Sequence, residues 1–252
     1  MAHSPVISVV IPCYNEQGNL VPLVKATVDV LESLKIPGEI VITDDCSEDE
    51  SWLVLQELAA DNPKVCVQRL DRNCGQSAAL WAGIQAARGR YIATFDADLQ
   101  NDPSDLPKFL EALKNADCVC GSRIEERRKG DNFVRHISSK IANGVRKWVT
   151  RESVNDGGCC YRVFKRECVA NLKFFNGMHR FLPTLFRIEG FAVTEIPVSH
   201  RGRLSGVTHY GVWNRLFAPA YDLFAVRWMQ KRMIRYQTNE RINFPEDPAN
   251  SL

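Results

Sequence analysis

The residues best suited to chemistry are Asp96, Asp98 and Gln100, which close the apolar run Tyr91-Ile92-Ala93-Thr94-Phe95. A short apolar run reads as a buried strand. Two carboxylates one residue apart at its end are costly unless something compensates their charge. A divalent cation does so: Mg²⁺ and Mn²⁺ take oxygen ligands, usually one or two carboxylates completed by substrate phosphates and water. Asp96, Asp98 and Gln100 alternate, so an extended backbone turns them the same way, as a platform for a metal and a diphosphate. The competing reading is an acidic loop that caps the next helix, with Asp102-Pro103 as its turn.

The elements that must hold this platform follow from patterning. Strands are predicted over Val6–Ile11 (stopped by Pro12), Glu39–Thr43, Val65–Leu70, Tyr91–Phe95, Cys118–Gly121, Cys159–Phe164 and Phe191–Val198. Between them, helices are predicted over Leu20–Leu34, from Ser47 to Ala60 with Ser47 and Glu50 as a capping box, and over Gln76–Ala87, Pro103–Lys114, Phe133–Val149 and Phe181–Ile188. Strands alternating with helices predict an α/β fold, a Rossmann-like, mostly parallel sheet flanked by helices, and ligands of such sheets sit at the carboxyl ends of the strands. Glu16, Asp44, Asp45, Asp96 and Asp98 all lie just past strand ends and should share one edge. Asp45 has a second reading, as a cap for the helix after Ser47, and Asn73-Cys74-Gly75 reads as a turn.

The balance of 32 basic and 30 acidic residues, net +2, gives no reason to expect nucleic acid as a partner. The hydrophobic share of 45% and charged share of 25% are those of a soluble globular protein. The nine cysteines match no zinc spacing, and with no signal peptide recognisable before Val6 they are expected to be reduced thiols. No apolar run is long enough to span a bilayer. A dinucleotide fold would carry G-x-G-x-x-G after the first strand, where this chain reads Pro12-Cys13-Tyr14-Asn15-Glu16. A nucleotidyltransferase would need a Gly-rich, Lys-bearing loop there, which is also absent.

Taken in order, Ile11-Pro12-Cys13-Tyr14-Asn15-Glu16, Asp44-Asp45-Cys46-Ser47, Asn73-x-Gly75, Gly83 and Asp96-Ala97-Asp98-Leu99-Gln100 resemble the motifs of glycosyltransferase family 2, with its GT-A fold. Three later stretches are similar to the branch that glycosylates polyprenyl phosphates, with dolichyl-phosphate mannose synthase and the undecaprenyl-phosphate sugar transferases. They are Asp156 through Tyr161-Arg162 to Arg166, Gly177-Met178-His179-Arg180-Phe181-Leu182-Pro183, and Val198 through His200-Arg201, Arg203 and Gly206 to Thr208-His209-Tyr210. The resemblance implies that Pro12, Tyr14, Glu16, Asp44 and Asp45 face the nucleotide. It implies that Asp96, Asp98 and Gln100 bind Mg²⁺ or Mn²⁺ with the donor diphosphate. Arg123, Arg135, Arg162, Arg201 and Arg203 would hold donor and acceptor phosphates, with Arg162 and Arg203 nearest the chemistry and Thr208 and His209 beside the acceptor. Two positions depart from the family: Cys46 stands where Gly is usual, and Thr208-His209 where Ser-Lys is usual, so a part-time cation replaces a permanent one.

The implied donor is a GDP- or UDP-linked sugar, with mannose favoured, and the implied acceptor a polyprenyl (dolichyl or undecaprenyl) phosphate. A phosphate acceptor is already anionic and needs no general base, whereas a saccharide or protein hydroxyl needs one; Asp156 is the candidate. A non-catalytic nucleotide-binding protein is the further alternative. A single displacement predicts inversion.

Residues 1–210 are expected to form the GT-A domain, followed by an amphipathic helix over 211–236, interrupted near Pro219, and an extended or disordered tail over 237–252. Trp213, Phe217, Tyr221, Phe224 and Trp228 fall on one helical face, followed by Lys231, Arg232 and Arg235. Such a face suits a membrane interface or packs on protein. The expected location is therefore cytoplasmic and peripheral at the inner face of the membrane, with a membrane anchor protein as a possible partner.

Overall fold

Seven strands form one sheet in the order β3-β2-β1-β4-β6-β5-β7. They are β1 (Ile7–Cys13), β2 (Gly38–Asp44), β3 (Val65–Arg69), β4 (Tyr91–Thr94), β5 (Cys118–Ser122), β6 (Arg162–Lys165) and β7 (Val193–Pro197). The helices are α1 (Gln17–Leu34), α2 (Ser51–Asp61), α3 (Gln76–Ala86), α4 (Leu106–Ala112), α5 (Leu182–Glu189) and α6 (Asn214–Arg232). The structure, a computed structural model, describes residues 5–123, 144, 149–150, 154–199 and 214–234, with side chains of α6 from 221 onward. The expected helix Phe133–Val149 lies almost entirely outside the described residues, as do the basic loop 200–210 and the tail 237–252.

The sheet is parallel except for β6, which runs antiparallel to both neighbours, β4 and β5. This is the mostly parallel sheet expected from the sequence, and the one reversed strand matters for the site. Reversal brings the start of β6 to the edge where β4 ends, pairing Arg162 with Thr94. Pro12 does not stop β1. Even-numbered residues of β1 face β4, and β4 pairs only as far as Thr94, opposite Val10. The missing N–H of Pro12 therefore points past the end of that ladder and costs no sheet bond.

Two apolar layers enclose the sheet. On one face, Leu20, Leu23 and Leu31 of α1, Leu55 of α2 and Phe109 of α4 cover Ile7, Val9, Ile11, Ile40 and Ile42. On the other, Leu80 and Ile84 of α3, Leu182 and Phe186 of α5, and Leu223 and Val226 of α6 cover Val10, Val41 and Ile92. The resemblance singled out Gly83, and the packing explains it. A Cβ there would come within 2.5 Å of Val10 Cγ1, so α3 lies against β1 only because position 83 has no side chain.

Three further expectations are corrected. The Ser47–Glu50 capping box does not form, because α2 begins at Ser51 and the Ser47 hydroxyl bonds the Asp44 carboxylate instead. The helix expected over Pro103–Lys114 divides into 3₁₀ turns at Pro103–Asp105 and Leu113–Asn115 flanking α4, with Pro107 near the helix start. The C-terminal helix is not interrupted near Pro219; α6 runs unbroken from Asn214 to Arg232.

The aromatic stripe of α6 does not pack on the domain where it is described. Leu223 and Val226 are buried, while Tyr221, Phe224 and Trp228 are 78%, 68% and 62% exposed. Trp213 and the Phe217 side chain lie outside the described residues. Among the described residues, no helix is long and apolar enough to cross a membrane.

Candidate active site

The site is assembled at the edge where β1, β2 and β4 end and β6 begins. The loops after β1 and β2 are stitched together by side chains capping each other's main chain. Asn15 N–H donates to Ser47 Oγ (2.9 Å), Glu16 N–H to Ser51 Oγ (2.9 Å), Glu48 N–H to Asn15 Oδ1 (2.8 Å) and Glu50 N–H to Gln17 Oε1 (2.8 Å). These reciprocal caps satisfy donors that helix starts leave open. The loop after each of the three strands carries a non-glycine residue in the left-handed region: Asn15 (φ 53°), Cys46 (φ 59°) and Leu99 (φ 60°). Such backbone is costly for residues with a Cβ and gathers at functional sites. It also explains why glycine is usual where this chain has Cys46: the turn demands the conformation glycine adopts without penalty. Cys46→Gly is expected to raise stability by about 0.5–1 kcal/mol, the relief of left-handed strain less the extra chain entropy of glycine. Thermal denaturation reads this as a rise of a few degrees, roughly.

Asp44 and Asp45 point into the protein. Asp44 is fully buried, accepts from the Ser47 N–H and hydroxyl, and pairs with Arg69 Nε at 3.0 Å. Asp45 accepts from Cys74 N–H (2.7 Å) and Gly75 N–H (2.8 Å), and burial pushes its carboxyl upward. Both carboxylates, expected to face the nucleotide, hold turns in the structure, Asp44 through Ser47 and Arg69 and Asp45 through the N–H groups of Cys74 and Gly75. Through Gly75, Asp45 anchors the start of α3. Gln76, the first residue of α3, then reaches Asp96 Oδ1 at 2.8 Å. Pro12, Tyr14 and Glu16 remain partly accessible beside this edge, with Glu16 accepting from Asn19 Nδ2 at 2.5 Å.

The extended alternation of Asp96, Asp98 and Gln100 is not what the backbone does. β4 ends at Thr94, the chain bends over 97–99, and Leu99 takes its left-handed turn. Gln100 N–H donates to Asp98 Oδ1 at 3.2 Å. The carboxylates nonetheless stay together: burial first, then the Asp98 charge, push the Asp96 carboxyl up, opposed by the Cys160 thiol, Arg123 and Arg162. Helix capping is not their task, because Asp102 caps the following turn through Ser104 N–H at 3.0 Å. Two neighbouring carboxylates, one disfavoured by burial and by the other, form a donor set that fits a hard divalent cation. Among the described residues no group of three or more His, Cys, Asp or Glu gathers for a metal. The remaining ligands of such an ion would be amide, water and substrate oxygens.

Two arginines back the carboxylates. Arg162 is 2% exposed; its Nη1 donates to His179 O (2.7 Å), its Nη2 to Gly157 O (3.3 Å), and its Nε has no partner among the described residues. Arg123 is clamped by Asp156, with Nε on Oδ2 at 2.8 Å and Nη2 on Oδ1 at 3.1 Å. Burial works against the Arg123 charge, but Asp156 outweighs it and raises the guanidinium pKa. Asp156 N–H is in turn held by Glu195 Oε1 at 2.8 Å. Arg135, Arg201, Arg203, Thr208 and His209 lie outside the described residues.

Sequence reasoning missed Gln76 and Ser77, which support Asp96 and His179. Their one signal was their place directly after the Asn73-Cys74-Gly75 turn. Cys160, whose neighbour Tyr161 fills the core against Phe95 and Phe109, approaches Asp96 only because β6 is antiparallel.

The chain is 32% identical over 234 residues to dodecaprenyl-phosphate galacturonate synthase of Rhizobium johnstonii, covering 91% of this chain and 68% of that protein. It is 36% identical over 219 residues to undecaprenyl-phosphate 4-deoxy-4-formamido-L-arabinose transferase of Edwardsiella ictaluri, covering 86% and 66%. The chain thus spans about two thirds of the length of these two relatives. The fold is similar to that of a mannosyltransferase from Pyrobaculum calidifontis in complex with GDP-Man and Mn²⁺, with a TM-score of 0.59, 19% identity, and coverage of 90% of this chain and 70% of that one. The glycosyl transferase family 2 model matches residues 8–172, and the chain belongs to that family, its mostly parallel sheet being that of a GT-A glycosyltransferase.

Proposed function

We propose that this protein transfers a hexosyl group, mannose favoured, from a GDP- or UDP-linked sugar to a polyprenyl phosphate with inversion at the anomeric carbon. The names of the two relatives support a polyprenyl-phosphate acceptor. The observation that carries the choice of acceptor is the Arg123–Asp156 clamp. A hydroxyl acceptor requires a base within hydrogen-bonding reach, and both oxygens of Asp156, the candidate, are on a buried guanidinium. An acceptor phosphate requires cations, which Arg162 offers here, together with Arg201 and Arg203 on the sequence reading.

On this reading Pro12, Tyr14 and Glu16 border the nucleotide, and Asp96 and Asp98 with Gln100 would hold Mg²⁺ or Mn²⁺. When bound, the ion neutralises charge developing on the leaving diphosphate. Gln76 and the Cys160 thiol orient Asp96. Arg162, fixed through two main-chain carbonyls, keeps its positive charge at this edge, where a preorganised charge lowers the barrier most.

The exposed Tyr221, Phe224 and Trp228, followed by Lys231 and Arg232, favour peripheral attachment to an anionic membrane surface, where the lipid acceptor resides. An anchor protein would strengthen that attachment.

The test is incubation with polyprenyl phosphate, Mn²⁺ and a panel of nucleotide sugars, with anionic liposomes present. The expected result is an EDTA-sensitive, β-linked lipid product from an α-linked donor, with the protein sedimenting with the vesicles. An α-linked product refutes inversion, transfer only to free saccharide or protein hydroxyls refutes the acceptor, and nucleotide binding without any transfer refutes catalysis. Protein that stays in the supernatant refutes the membrane surface.

A further inference from the structure

His179 sits in the 3₁₀ turn Met178–Arg180 and makes no cap there. Its ring is instead fixed by α3. Ser77, 1% exposed, accepts from Gly177 N–H at 2.9 Å and lies 2.6 Å from His179 Nδ1. A hydroxyl that already accepts a main-chain N–H still has its own proton to give, and in one of the two tautomers this contact allows, Ser77 donates it to Nδ1. That leaves the ring proton on Nε2, on the opposite side of the imidazole. The turn is built for this. Gly177 has φ +93°, and a Cβ there would lie 2.5 Å from Asp222 Oδ2, so only glycine presents its N–H to Ser77.

Two contacts tie this arrangement to the catalytic edge. Gln76, the residue before Ser77, holds Asp96, and the His179 carbonyl accepts from Arg162 Nη1. No other described residue hydrogen-bonds the ring. Burial, and then the charges of Arg180 and Arg162, depress the imidazole pKa to about 3, so the ring stays neutral at working pH. A ring N–H on this half-buried residue, on the supports that hold Asp96 and Arg162, suits an oxygen-rich ligand.

We propose that His179 is a donor-binding residue, giving its Nε2 proton as a hydrogen bond to an oxygen of the bound nucleotide sugar, with Ser77 as the residue that positions it. This rests on the nucleotide-sugar reading above. A bond of this kind to a charged oxygen contributes about 1.5–3 kcal/mol, roughly a 10- to 100-fold effect on donor affinity.

Two measurements test it. The first is ¹⁵N NMR of the histidine rings in the wild-type protein, with His179→Gln assigning the signal. The expected spectrum has a protonated Nε2 and a bare Nδ1 that do not titrate where a free imidazole does. An Nδ1–H tautomer or an ordinary titration overturns the proposal. On adding nucleotide sugar with diamagnetic Mg²⁺ the Nε2 signal should move; a shift with the nucleoside diphosphate alone assigns the bond to phosphate, and one requiring the sugar assigns it to a sugar hydroxyl.

The second is kinetic. His179→Ala should raise the donor KM about 10-fold or more with the lipid-phosphate KM unchanged, and His179→Gln, which keeps an N–H, should recover part of the loss. An unchanged donor KM, or a rise confined to the lipid phosphate, overturns it. Calorimetry on the wild type separates the two readings: if no nucleotide sugar binds, the proposed reaction fails and this assignment with it. If the donor binds and His179→Ala binds it equally well, this assignment alone fails.

Discussion

Asp98→Ala is expected to lower sugar transfer by about 10³-fold or more while leaving the domain folded. The estimate follows from the several kcal/mol that charge stabilisation of a leaving group supplies in a water-poor site. Stability should survive because the wild-type arrangement is electrostatically unfavourable. Burial opposes the Asp96 charge, and the neighbouring Asp98 carboxylate opposes it further. Removing one carboxylate relieves that repulsion, and among the contacts it gives up is a long one from Gln100 N–H. The transfer rate at saturating Mn²⁺ and the thermal midpoint check the two halves. A variant with full activity would remove the metal platform from the mechanism, and an unfolded variant would make Asp98 a structural residue.

The second large effect is at Asp156. Its carboxylate is 2% exposed and meets a guanidinium that is 10% exposed, with two side-chain contacts and a third from Arg123 N–H at 3.1 Å. Taking away one partner leaves the other charge buried and uncompensated, which costs about 3–5 kcal/mol. Asp156→Ala is expected to lose that much in urea denaturation, and Asp156→Asn, which keeps one acceptor, somewhat less. The pair of variants also separates two chemistries. Were Asp156 the base for a hydroxyl acceptor, Asp156→Asn would keep wild-type stability and donor binding and lose turnover. With the clamp as the structure has it, stability falls first and Arg123 loses its orientation. A change of less than about 0.5 kcal/mol in Asp156→Ala, the range of an ordinary surface substitution, would refute the structural role.

Much of this architecture was legible in the chain. Apolar runs of strand length placed all seven strands to within a few residues, because burial in a sheet centre selects continuous β-branched and aliphatic stretches. The acidic residues past the ends of β1, β2 and β4 were expected on one edge, and parallel topology puts them there. The glycine at 83 and the left-handed turn at Cys46 also belong to sequence pattern, since each reflects a steric requirement of one backbone position.

What the sequence could not supply were the partners chosen in three dimensions. Asp44, Asp45 and Asp98 look alike as acidic residues beyond strands. Asp44 bonds Ser47 and Arg69, Asp45 accepts from the N–H groups of Cys74 and Gly75, and Asp98 stands beside Asp96. The direction of β6 was equally hidden, because a run of four residues has the same pattern read either way. That direction carries Arg162 and Cys160 to Asp96, and the crossing of the 177–180 turn over α3 sets His179 on Ser77.

The opening stretch shows the division most clearly. Its residue types, two carboxylates and an amide after an apolar run, were enough to name a hard cation and a diphosphate as fitting ligands. Only the folded chain decided that Leu99 turns the backbone and that Gln76 holds Asp96, because hydrogen-bond partners distant in sequence are set by packing and by no local preference.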